Sequence, residues 1–202
     1  MATDDISIER AQRDLEVIRK AIAESRRVVG RWGDLHAVWG VLIMLALGVQ
    51  WWGTTHQVPE AWLGWVGASV IGVLLAGTVG RRRAERAGII SLPARTLRAL
   101  WAMCCLSVWC LAFLGIPVGA VDQRLIMPLI AIQLAVAVVT TGVMLRCTVY
   151  VVAGVLWLGG GCVALVLPLA GQFPLFMALL ICGQVAPALW LWNRERGVPD
   201  VA

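Results

Sequence analysis

Six long apolar stretches, at residues 35–53, 61–80, 97–118, 125–145, 148–168 and 173–192, decide what this chain can fold into. About 20 mostly apolar residues in a helix cross the roughly 30 Å of hydrocarbon in a bilayer. There the backbone has to satisfy its own hydrogen bonds, which a helix does segment by segment. Soluble domains carry about 25% charged residues, whereas this chain carries 14%, with 60% hydrophobic residues. The prediction is an all-α integral membrane bundle of six transmembrane helices, paired as three helical hairpins and preceded by one amphipathic cytoplasmic helix. It divides into residues 1–34, a membrane domain over 35–193 and a short cytoplasmic tail over 194–202. The first apolar run begins too late, and behind too much charge, for a cleaved secretory signal.

The net charge of +5 is best read by position. Seven Lys and Arg precede Leu35, six lie from Arg81 to Arg98, Arg146 follows the fourth stretch, and Arg194 and Arg196 follow the sixth. With six spans, sixteen of these cations fall on one side and Arg124 alone on the other. Short cytoplasmic loops carry this excess, so both termini are expected in the cytoplasm. Orientation accounts for the basic balance, and no nucleic-acid partner is needed to explain it. Six cysteines form no CxxC and no Cys/His cluster at metal-ligand spacing, which leaves them as small apolar residues and predicts no metal or cofactor.

The N-terminal segment "ISIERAQRDLEVIRKAIAESRRVV" places Ile8, Leu15, Ile22 and Val29 seven residues apart, with Ile18 between Ala11 and Ser25 at the alternate position. Ala and Ser are weak there, so three heptads alone make a marginal coiled coil. Glu9 with Arg13, and Glu16 with Lys20, sit at supporting i, i+4 spacing, and Gly30 terminates the helix. The stripe has three uses: on the membrane surface, on the cytoplasmic face of its own bundle, or against another chain. Six acidic residues in 1–30 argue against a pure membrane binder. Docking of Ile8, Leu15, Ile18, Ile22 and Val29 is the expectation. The basic loop at Arg81, Arg82 and Arg83 joins them as a second contact, or serves only as a topological anchor. The partner is a second copy or a cytoplasmic protein.

Within the spans, Gly64, Ala68, Gly72, Ala76 and Gly80 recur every four residues and make one almost bare helix face. Such faces let helices approach closely in lipid, either inside one bundle or between two copies. No Asp, Glu, Lys, Arg or His lies in the interior of a span, which argues against proton relays and voltage sensors. The interior polar residues include Gln133 and Gln184. With the deep Trp109 and Trp157 they either glue helices together or line a site for a small uncharged or aromatic ligand. Pro187 frees the Gly183 carbonyl and is expected to kink the sixth span. Pro59, Pro128 and Pro174 are expected in first helical turns, where a missing N–H does no harm. His36 with Asp34, and His56 with Glu60, are acid–histidine pairs without a nucleophile or metal motif beside them. A scaffold or regulatory subunit, non-enzymatic, is the favoured function. A substrate-binding or transport subunit is the alternative.

"LEVIRKAIAESRR", then Trp32–Gly33 and "VWGVL", resembles the N-terminal region of a broad set of bacterial multi-pass membrane proteins. In that set an "IR…E.S" helix leads into the first span. The resemblance covers about residues 15 to 45. It implies a bacterial inner-membrane protein with a cytoplasmic N-terminal helix, and it carries over no catalytic residue. In size, span count and tryptophan content the chain is also similar to the six-helix substrate-binding subunits of energy-coupling vitamin transporters.

Overall fold

A computed structural model of the protein describes residues 36–87 and 92–196, with side chains over 36–79 and 95–193. The heptad residues Ile8, Leu15, Ile18, Ile22 and Val29 and the side chains of Arg81, Arg82 and Arg83 lie outside that description. Among the described residues all regular structure is helical. The helices are α1 (His36–Thr55), α2 (Leu63–Ala87), α3 (Leu92–Cys110), α4 (Gln123–Met144), α5 (Thr148–Val166), α6 (Leu169–Leu180) and α7 (Ala186–Arg196). A 3-10 turn, Pro59–Trp62, leads into α2, and a π turn, Ile181–Val185, joins α6 to α7 as one span. Six helices are long and apolar enough to cross a membrane. Their outer faces suit lipid: Val73 and Met103 are each 62% exposed.

The core is the antiparallel pair α4–α5. Gly142 lies so close to α5 that a Cβ there would stand 2.7 Å from the Val151 backbone nitrogen. One at Gly154 would stand 2.8 Å from the Val139 nitrogen. Contacts this short exist only because neither glycine carries a side chain. The turn between the two helices is equally tight. The Cys147 N–H donates to the Gly142 carbonyl at 2.8 Å and the Arg146 N–H to the Val143 carbonyl at 3.1 Å. That is the hydrogen-bond pair of a Schellman motif, with Arg146 taking the left-handed position at φ 51°. The start of α4 is capped by Asp122, whose carboxylate accepts the Arg124 N–H at 2.8 Å.

The remaining spans pack around this pair. α6 lays Leu179 over Gly160 of α5, and α1 lays its Gly40 against Gln184 and Val185. α2 then rides on α1, with Gly64 on Val49 and Gly72 on the Trp39 ring. Part of the small-residue face of α2 therefore packs inside its own bundle. Three expectations need correcting. Pro59 opens its turn, but Pro128 and Pro174 stand inside α4 and α6. The basic connection 81–98 is mostly helix, since α2 runs to Ala87 and α3 starts at Leu92. The sixth span begins at Leu169, four residues before the expected start at 173. Strong helix formers and a Pro168 N-cap explain that early start.

Candidate functional site

At the end of the bundle where α1 begins, four helices meet around polar and aromatic side chains. His36 is buried in the first turn of α1. Its ring stands edge-on to Trp101 of α3 at 4.6 Å and to Tyr150 of α5 at 5.4 Å. The Trp101 Nε1–H donates to Thr141 Oγ1 of α4 at 3.1 Å. Thr141 turns its own hydroxyl hydrogen back to the Ala137 carbonyl at 2.7 Å, which leaves its oxygen free to accept. The seam crosses α1, α3, α4 and α5. Tyr150 is fully buried, and its hydroxyl has no hydrogen-bond partner among the described residues. Sequence reasoning placed His36 at the interface and passed over Tyr150 and Trp101. The available signal was that Tyr150 is the chain's single tyrosine, at the start of an apolar span.

Two further polar contacts tie helices at other depths. Gln133 of α4 donates to the Cys104 carbonyl of α3 at 3.1 Å and to the Ser107 hydroxyl. At the opposite end of the bundle from His36, the buried Gln172 of α6 reaches three carbonyls with one amide nitrogen. They are Arg124 at 3.0 Å, Ala164 at 3.1 Å and Leu167 at 3.2 Å. Pro128 explains the first, because it withdraws the N–H that the Arg124 carbonyl would otherwise accept. The apolar stretch legible in the sequence starts at 173, which leaves Gln172 outside it.

The four residues suggested for a ligand do not converge on one place. Trp109 packs on Phe113 at 4.6 Å, and Phe113 on Trp62 at 6.2 Å. Gln133 belongs to the α3 contact. Trp157 and Gln184, by contrast, both reach the π turn of span six. Trp157 is fully buried, edge-on to Phe176 at 5.3 Å, and presses on Gly183. Gln184 is buried with its Cγ against Gly40. Trp157 Nε1 and Gln184 Oε1 have no hydrogen-bond partner among the described residues.

His56 is held locally. Its Nδ1 lies 2.9 Å from the Trp52 carbonyl, which can only accept, so this nitrogen carries the proton. The ring also stacks on Trp52 at 4.8 Å. Among the described residues, no three His, Cys, Asp or Glu side chains form a metal-holding group. A shallow groove of about 310 Å³ runs between α1 and α6, lined by Leu47, Trp51, Phe173, Pro174, Met177 and Ile181. Its walls offer an apolar surface and no group for acid–base chemistry. Comparison of the chain with protein-family models, with curated proteins and with solved structures finds no match.

Proposed function

We propose that this polytopic, helical chain is a non-enzymatic scaffold or regulatory subunit of a bacterial inner membrane. It engages a cytoplasmic protein, or a second copy of itself, through the heptad of residues 1–34 and the basic segment at Arg81, Arg82 and Arg83. The observation that carries this reading is where the interior polar groups point. Gln133, Thr141 and Gln172 each hydrogen-bond to a neighbouring helix. Bonds of that kind hold a bundle together and leave little for a cargo to use. With both termini cytoplasmic, the heptad and the basic segment share one face, and the acidic side chains among residues 1–34, balanced there by an equal number of cations, are within reach of the basic segment.

Light scattering on the full-length detergent-solubilised protein tests it, wild type against Leu15→Asp/Ile22→Asp. The expected outcome is a wild-type particle of defined mass that the double change dissociates without loss of helix. A monomeric wild type moves the test to a pull-down with residues 1–34, and an empty pull-down ends the proposal. A second reading, a subunit that binds a small uncharged ligand, draws support from the unpaired Trp157 and Gln184 atoms. It requires Gln184→Leu to abolish ligand retention while the protein still assembles.

A further inference from the structure

Span six is interrupted in a way that takes the i+4 donor from two consecutive carbonyls. In the π turn the Ala186 N–H goes to the Ile181 carbonyl, five residues back. The Cys182 carbonyl thereby loses its i+4 donor, and its i+5 donor would be Pro187, which has no N–H. The Gly183 carbonyl loses its i+4 donor to the same proline. Backbone acceptors at membrane depth are costly unless something in the protein satisfies them.

A donor with the opposite deficit lies against this turn. Trp157 is fully buried and its Nε1–H has no partner. A Cβ built on Gly183 would stand 2.7 Å from that nitrogen. Glycine is required at 183 for the indole to come this near the backbone. The unpartnered donor therefore lies against the residue whose carbonyl has lost its i+4 donor, without being bonded to it.

We propose that span six is a two-position helix. α7 bends about the π turn, and in the second position the Trp157 indole N–H donates to the Gly183 carbonyl, latching α7 to the α4–α5 core. The bend is cheap because the i+4 bonds that would resist it, to the Cys182 and Gly183 carbonyls, are missing. It moves Ala188 and Leu191, the buried residues of α7. Span three carries the same construction at Leu111–Gly115 before Pro117, with the Ile116 N–H on the Leu111 carbonyl. There the chain turns away at once, so no helix follows for a bend to move.

Full-length protein in lipid nanodiscs, labelled with 15N-tryptophan, tests the latch. Trp157→Phe identifies the indole resonance by its loss. The wild-type resonance is expected to be doubled or to show microsecond–millisecond exchange in relaxation dispersion, the range of helix shifts. Pro187→Ala supplies an N–H that claims the Gly183 carbonyl, and is expected to leave one sharp signal. A single sharp wild-type resonance with a flat dispersion profile overturns the proposal, as does exchange that Pro187→Ala leaves unchanged. Should Pro187→Ala fail to assemble, the Leu191 methyl groups decide in wild type. An exchange rate shared with the indole supports the latch, and absent or independent exchange overturns it.

Discussion

A proline in the second turn of α4 withdraws one N–H from the Arg124 carbonyl, and a glutamine 48 residues after Arg124 supplies the replacement. Gln172 shows how a single side chain can hold the ends of three helices, because its amide nitrogen meets carbonyls from α4 and from the end of α5. Gln172→Leu leaves those carbonyls short of a donor inside protein, a change that costs about 1–3 kcal/mol. The variant also removes Gln172 Oε1, itself buried without a donor, which draws the net loss towards about 1 kcal/mol. Reversible unfolding in mixed micelles measures it, and Gln133→Leu, at a glutamine that is itself only half-buried, is expected to lose less. The sequence singled out Gln133, an amide in the middle of an apolar run, as either helix glue or part of a ligand site. It did not announce Gln172 or His36. Each sits at the edge of a span, where a polar residue is equally at home in water, and only the packing of Trp101 and Tyr150 puts His36 inside.

Between helices, the smallest residues set the distances, but which of them do so is a question of backbone geometry. The four-residue rhythm on α2 stands out in the sequence, yet Gly72 meets only the ring of Trp39. The closest approach is between α4 and α5, on Gly142 and Gly154, where a methyl group would strike backbone atoms that cannot rotate away. Gly142→Ala and Gly154→Ala are each expected to destabilise the bundle by about 1–3 kcal/mol, the usual cost of overpacking. Gly159→Ala on the same helix meets nothing within 4 Å and is expected to stay within about 0.5 kcal/mol of wild type. Equilibrium unfolding of the three variants separates them, and equal losses would contradict the backbone argument. The spans themselves were legible because twenty apolar residues need no neighbour to be recognised. Helix pairing was not legible, since an i, i+7 glycine pair such as Gly154 and Gly161 looks like chance until the facing helix is known. The two π turns were hidden for a similar reason. A proline shows that a helix is disturbed, but not whether it kinks or takes in an extra residue.

For the whole molecule, the placement of charge and the parity of the spans constrain each other. Sixteen of the 17 Lys and Arg fall on one side only if the span number is even. Six candidate spans meet that condition. A seventh crossing, or the loss of one, would send the Arg194 and Arg196 end across the membrane against the bias that orients short loops. The aromatic residues agree, with Trp51, Trp52 and Trp62 exposed around the connection between the first two spans, as indole rings that favour a membrane interface would be. Reporter fusions test both parity and direction together. A fusion after Ala202 is expected to be active only for a reporter that works in the cytoplasm, and a fusion after Ala120 only for one that works outside. If both fusions report the same side, the span count is wrong. If the two are exchanged, the count stands and the charge rule has failed here. In that event the heptad and the basic segment would face away from any cytoplasmic partner, and the scaffold reading would fall with the topology.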